Sequence, residues 1–510
     1  MGPRAQIRGH STSGPVCIVV RTLQELRRRT FFAMPPRAYF LSTLAACSLL
    51  SCGSTGCSMI NAYPEVDRDE QATTKGEGEE PAATPWTRGF GGVGDDAASA
   101  VAIGPDDSIV LAGSFSDTID FGLGPLHSYG GTDAFLLGLD RNGDVLWNAA
   151  WGGSSNDFVD GLVVTPDGDF VVAFPFTGTA DLGGQVLDGT PFGFGLVRYR
   201  ADGQIVWARA LDGFEQRTLG DLVVTQDGGL LLSGHLNGTV DFGLGPVTSV
   251  GEDDLFVLRL DATGATEWCQ HLSSGTSSEE TGSNYIQLHA APDGSVLLAG
   301  FVNRGLDFGD VVVEPNEGVP FVSKLTTEGE IAWVQTPTTP GDLVVYKDVA
   351  IDDDGSVVTV GAYFTPSSFG SSAGGLMLTR FDGDGTMLDE RRFEAAPHTN
   401  WSIYPVSLVP NQGDGFTVLG YLEQDLTVGQ HVLKSVGGQD TFVVRFSGDL
   451  EPLDARRFGD GEDESPWAAA VDSQGSVVVG GAFTGQLRVD QKSMVSAGMS
   501  DAFLTKLVWE

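Results

Sequence analysis

Trp86-Thr87-Arg88-Gly89-Phe90-Gly91-Gly92 decides the fold, because it matches Trp147-Asn148-Ala149-Ala150-Trp151-Gly152-Gly153 in pattern yet stands ahead of any unit it could end. The full motif is a turn, an apolar run ending in Trp, then a small-residue strand. It reads Asn142-Gly143-Asp144-Val145-Leu146-Trp147, Asp202-Gly203-Gln204-Ile205-Val206-Trp207, Thr263-Gly264-Ala265-Thr266-Glu267-Trp268 and Glu328-Gly329-Glu330-Ile331-Ala332-Trp333. In two later copies Asp389 and Asp454 hold the Trp position, and the sequence stops at Trp509-Glu510, before a seventh copy finishes. The strand missing from the last copy is present at residues 86–92. A ring closed by its own first strand is the economical reading.

Working outward, the register positions Trp86, Trp147, Trp207, Trp268, Trp333, Asp389 and Asp454 are separated by 61, 60, 61, 65, 56 and 65 residues. Each unit reads as four short strands. In the first, strands are expected at 98–103, 108–115, 133–139 and 145–150, with a loop at Asp120-Phe121-Gly122 and Gly/Asn turns that supply the positive φ short hairpins need. A second-strand glycine recurs at Gly113, Gly234, Gly300, Gly361, Gly420 and Gly480 or Gly481, with Ala173 in unit two. An acidic start to strand three recurs as Asp133-Ala134-Phe135, Asp254-Leu255-Phe256, Asp440-Thr441-Phe442 and Asp501-Ala502-Phe503, replaced by Phe192, Val319 and Gly375 in units two, four and five. The expectation is an all-β, seven-bladed β-propeller of four-stranded blades in which residues 86–92 complete the last blade.

On these residues the chain resembles the bacterial seven-bladed β-propeller repeat family, whose blades pair an Asp-Ala-Phe strand with a Gly-x-x-x-Trp strand and a following Phe-Gly-Gly. The resemblance spans residues 86–510. It implies an extracytoplasmic or surface protein, mostly without assigned chemistry, and so speaks to fold far more than to function.

Charge is divided unevenly. Residues 1–51 hold seven Arg against Glu25 alone, which leaves 22 basic and 67 acidic side chains for the remainder. A folded part this acidic lacks the positive footprint that phosphate requires, so nucleic acid and anionic membrane surfaces are excluded as its partners. Solubility, cations and cationic partners each account for such a charge.

The apolar stretch Ala38 to Ser51 follows Pro35-Pro36-Arg37 and is too short to span a bilayer, which suits the core of a signal peptide. Met34 offers an internal start, and a long basic leader is the alternative. The segment resembles a bacterial lipoprotein signal, in which a small residue precedes a Cys that is cleaved and lipidated. Leu49-Leu50-Ser51-Cys52-Gly53-Ser54 places the lipid on Cys52, Leu44-Ala45-Ala46-Cys47 offers Cys47 instead, and an ordinary secretory signal is the third reading. Residues 1–51 are then leader, 52–85 a disordered acidic tether without apolar period, and 86–510 the propeller. Gly53 rather than Asp after the Cys points to the outer membrane or cell surface. Cys57 and Cys269 form no disulfide framework, and Cys269 reads as a small buried residue.

Motifs with chemistry are sparse. Gly370-Ser371-Ser372-Ala373-Gly374 has the spacing of a nucleophile elbow but runs into a strand instead of a helix. Gly89 to Gly94 matches a dinucleotide fingerprint that opens no helix. The carboxylates of Asp352-Asp353-Asp354-Gly355 and Asp382-Gly383-Asp384-Gly385 sit at expected turns and offer at most adventitious Ca²⁺ binding; no other cofactor is expected. The Gly-x-x-x-Trp element is also similar to the repeat of quinone-dependent dehydrogenases, but no adjacent Cys pair exists to stack a quinone. His127, His235, His271, His289, His398 and His431 show no zinc spacing.

One set remains. Asp160, Asp221, Gln287, His289, Lys347 and Asp348 fall at similar levels on the first strands of their units, which line a propeller's axis, and could grip a ligand or simply be hydrated. The expected function is a non-catalytic, lipid-anchored, monomeric binding scaffold at the cell envelope, with an envelope protein or glycan as partner. The alternative is a secreted propeller lyase or hydrolase, which requires His, Arg or Tyr to converge with carboxylates in one cleft.

Overall fold

The computed structural model describes residues 83–509 apart from residues 153, 155, 183–184, 215–218, 252–253, 275–283, 304, 314–317, 338–341, 353, 367–372, 398–400, 412 and 414. The leader, Cys47, Cys52, Cys57, the tether up to residue 82, Gly370-Ser371-Ser372, Asp353 and His398 lie outside the described residues.

Seven four-stranded antiparallel sheets follow one another in chain order, and the described residues contain no helix. Blade 1 is Asp96–Ile103, Ile109–Asp120, Pro125–Leu139 and Val145–Trp151. Blade 7 takes three strands from the end of the chain, Glu464–Val471, Val477–Phe483 and Asp501–Leu507, and its outermost from the beginning, Trp86–Phe90. The closing register runs from Trp86 opposite Lys506 to Phe90 opposite Ala502. Inside this seam Thr87 and Thr505 share a hydrogen bond of 2.9 Å between their hydroxyls.

The Asp-Phe-Gly loop is more ordered than the sequence suggests. In blade 1 strands two and three run on past the blade body, pairing Thr118 with His127, Ile119 with Leu126 and Asp120 with Pro125. Asp120 Oδ1 accepts the N–H groups of Gly122 and Gly124 and so fixes the tip. Blade 3 builds the same hairpin as separate short strands, Thr239–Asp241 with Pro246–Thr248.

Strand alternation gives every blade two apolar faces, one for each neighbour. Ile286 and Leu288 of blade 4 join Leu231, Leu255 and Val257 of blade 3, whereas Leu297, Ala299 and Val322 join Val344, Tyr346 and Val349 of blade 5. At the middle of six blades a glycine on strand two faces a bulky residue on strand three: Gly113 with Phe135, Gly234 with Phe256, Gly300 with Phe321, Gly361 with Met377, Gly420 with Phe442 and Gly481 with Phe503. Blade 2 corrects the sequence reading. Its pair is Phe174 with Gly195, so ring and glycine have changed strands, and Ala173 instead faces Leu196. The position of the strand-three acid in that blade is Gly193, opposite Phe176, not Phe192.

The outer-strand tryptophans join consecutive blades. Trp86, Trp207, Trp268 and Trp333 donate Nε1–H to the carbonyls of Arg141, Ala262, Thr327 and Gly383 in the next blade's outer turn, at 2.9–3.2 Å. The ring of Trp268 lies on Gly329, whose φ of +84° and lack of Cβ the contact requires. Where Asp454 replaces Trp, Arg456 donates to the Val508 carbonyl at 2.7 Å and lies 4.4 Å from the Trp509 ring centroid.

Candidate functional site

The innermost strands surround the propeller axis, and their free edges leave backbone N–H groups to be satisfied. Asp221, in the strand Leu219–Val224 of blade 3, does this for two strands at once. Its Oδ1 accepts its own neighbour Leu222 N–H at 2.8 Å, and its Oδ2 accepts Leu288 N–H on the inner strand of blade 4 at 2.9 Å. Asp348 of blade 5 repeats the arrangement, accepting from Val349 and from Leu408 of blade 6, both at 2.8 Å. These two carboxylates therefore staple neighbouring inner strands. Asp160 stands just before the strand Gly161–Val164 and donates its own N–H to the Ala173 carbonyl at 2.9 Å.

Gln287 occupies the same column in blade 4 and behaves differently. Its strand, Tyr285–Ala290, places it opposite Ala299, on the face turned to blade 5. The side chain is 1% exposed, and neither its amide nitrogen nor its amide oxygen has a hydrogen-bond partner. A carboxamide buried in this way forfeits about 1–3 kcal/mol unless something supplies both a donor and an acceptor.

Alternation puts Tyr285 and His289 on the same face of that strand as Gln287. His289 is half-buried, and loss of solvent pushes its imidazole down to about 4 against the opposing effect of the Asp221 charge. At neutral pH it is uncharged, with one ring nitrogen donating and the other accepting. Tyr285 stacks on Phe301 with ring centroids 5.5 Å apart, and the Lys347 ammonium of blade 5 stands 4.9 Å over the tyrosine ring. Gln287 and His289 thus share a strand face with Tyr285, and Lys347 stands over the Tyr285–Phe301 pair, two aromatics the sequence reading missed. Their signal was present as an aromatic two residues ahead of Gln287.

Aromatic pairs continue along the same end of blades 5 and 6, with Phe364 against Trp401 at 5.7 Å and Tyr404 stacked on Tyr421 at 4.6 Å. Burial pushes both blade 6 tyrosine hydroxyls upward, so they stay protonated. The other sequence candidates are absorbed by structure. Asp382 Oδ1 accepts Asp384 and Thr386 N–H in a turn, Asp352 and Asp354 bind Arg380, and burial pushes the Cys269 thiol up to about 12. Among the described residues no group of three or more His, Cys, Asp or Glu is placed to hold a metal ion.

No family model matches the chain, and no curated protein matches it. Similar solved structures include a protein of unknown function from Dyadobacter fermentans, 12% identical over 83% of this chain and 99% of that one, with a TM-score of 0.38. Hydrazine synthase of Kuenenia stuttgartiensis is 10% identical over 75% and 92% respectively, with a TM-score of 0.42. An α-L-arabinanase of Penicillium chrysogenum is 14% identical over 68% and 91%, with a TM-score of 0.38. No chemistry is inferred from likenesses this distant.

Proposed function

We propose that the chain is a non-catalytic binding propeller of the seven-bladed repeat family, lipid-anchored through Cys52 at the cell envelope, and that it holds a glycan on the inner rim of blades 4 to 6. The observation that carries the binding reading is the half-buried Tyr285–Phe301 stack with the Lys347 ammonium 4.9 Å over the tyrosine ring, on the same strand face as the buried, unsatisfied Gln287 carboxamide. Aromatic faces accept the apolar face of a sugar ring. Neutral His289 and Lys347 supply the mixed donors and acceptor that hydroxyl groups need. The set contains no carboxylate free of backbone bonds beside the imidazole, and so favours holding a sugar over cleaving one.

The test is calorimetric titration of the mature protein with a panel of soluble envelope oligosaccharides, alongside Lys347→Ala and Tyr285→Ala. Saturable binding weakened at least tenfold in both variants supports the reading. Binding unaffected by either, or none across the panel, overturns the site, and release of new reducing ends or unsaturated sugars overturns the non-catalytic part. The anchor is checked separately by intact mass and detergent partitioning of the native protein against Cys52→Ala.

A further inference from the structure

Buried negative charge is concentrated where blades 1, 3, 6 and 7 hand the chain to the next. Asp254, Asp440 and Asp501 open strand three of blades 3, 6 and 7, Asp133 holds the same place within the longer strand of blade 1, and none is more than 5% exposed. Each accepts the N–H of the residue four positions earlier, Tyr129, Val250, Val436 and Ala497, at 2.7–3.0 Å. After blades 1, 6 and 7 a second acid arrives at the head of the following blade: Asp157, Glu464 and Asp96. Its backbone N–H donates to the carbonyl just ahead of the first acid, from Asp157 to Thr132 and Glu464 to Gln439 at 2.7 Å and from Asp96 to Ser500 at 2.9 Å. The two carboxyl groups are held close by that bond. Glycines clear the space between strands, since a Cβ on Gly152 or Gly91 would stand 2.4 Å from Asp133 Oδ1 or Asp501 Oδ1.

Two of the four junctions bring their own counter-charge. His271 Nε2 lies 2.7 Å from Asp254, and Arg457 Nη1 lies 2.5 Å from Asp440. Both bases stand on strand four directly opposite the strand-three phenylalanine, His271 facing Phe256 and Arg457 facing Phe442. In blades 1 and 7 that position is Ala150, facing Phe135, and Gly89, facing Phe503. There Asp133 Oδ1 and Asp501 Oδ1 are buried with no hydrogen-bond partner. A buried carboxylate oxygen beside a second acid is costly unless a positive charge meets it or one of the pair keeps its proton.

We propose that Asp133 with Asp157, and Asp501 with Asp96, form two equivalent divalent-cation sites of Ca²⁺ type that take the place of the missing basic side chain and tie blade 1 to blade 2 and blade 7 to blade 1. Hard carboxylate oxygens suit Ca²⁺; Asp133 Oδ1 and Asp501 Oδ1 carry no hydrogen bond, whereas Asp96 already accepts Gly92 N–H at 2.7 Å and Ser116 N–H at 3.3 Å, so a remaining lone pair of the second acid, backbone carbonyls and water complete the shell. With only two acids per site the affinity belongs to the weak extracellular class, with Kd about 10⁻⁴–10⁻³ M.

The experiment is calorimetric titration of chelator-treated protein with CaCl₂. Wild type is expected to take up two equivalents, Asp133→Asn and Asp501→Asn one each, and the double variant none. Ala150→His places blade 3's imidazole at the blade 1 junction and is expected to remove one equivalent without loss of thermal stability, so the result does not hinge on the folding of the Asn variants. No uptake at millimolar Ca²⁺ overturns the proposal, as does a stoichiometry that neither Asp133→Asn nor Ala150→His changes.

Discussion

Phe174 and Gly195 face each other across blade 2 with ring and glycine exchanged between strands relative to the other blades. A Cβ on Gly195 would stand 2.3 Å from the Phe174 ring, so the pair is one volume shared by two positions. Gly195→Ala is expected to destabilise the protein by about 1–3 kcal/mol through overpacking. Adding Phe174→Leu should return part of that loss, and urea denaturation of the two variants checks both.

The closing strand gives the second prediction. Every residue of Asp501–Leu507 is buried, with Trp86–Phe90 covering its outer edge. Deleting the chain through Phe90 uncovers that edge, together with the Lys506 and Leu504 backbone that pairs Trp86 and Arg88. The truncated protein is expected to self-associate through it, seen by light scattering as a larger assembly than the full-length protein forms. A truncated chain with the same assembly state and melting temperature as the full-length protein would contradict closure as the source of stability.

How much was legible in the sequence follows from what kind of residue carried each feature. Trp86 and the later tryptophans are large, rare and repeated, because each must reach one turn of the next blade, and they disclosed both blade number and closure. The blade 2 exchange escaped because a residue-by-residue reading looks for glycine at one position, whereas packing constrains only the sum across Phe174 and Gly195. Asp221, Gln287 and Asp348 looked alike as polar residues at one level of the inner strands. What separates them is a backbone N–H 67 residues ahead of Asp221 and 60 ahead of Asp348, which no local pattern encodes.

That separation is testable at Asp221. Asp221→Ala leaves the Leu222 and Leu288 amides without acceptors inside the protein and is expected to cost about 2–4 kcal/mol. Asp221→Asn keeps one carbonyl oxygen and should cost less. Hydrogen exchange at Leu288 reads the effect locally: faster exchange in the Ala variant is expected, and unchanged protection would remove the staple.

Glu464 supplies the last prediction. It is fully buried at the junction of blades 6 and 7, where burial, more than the nearby Asp460 and Asp440 charges and against the opposing Arg457, pushes its carboxyl up from 4.5 to about 8. Between those values the folded protein holds a proton that the unfolded chain has released, so stability falls as pH rises. The contribution is complete below about pH 4.5, declines through neutrality and is gone above about pH 8. Glu464→Gln fixes the neutral form and is expected to flatten this part of the profile while leaving the slope due to other groups. Urea midpoints at intervals from pH 5 to 9 compare the two proteins. Parallel profiles would show that Glu464 is ionised in the folded state and that Arg457 serves both acids of the junction.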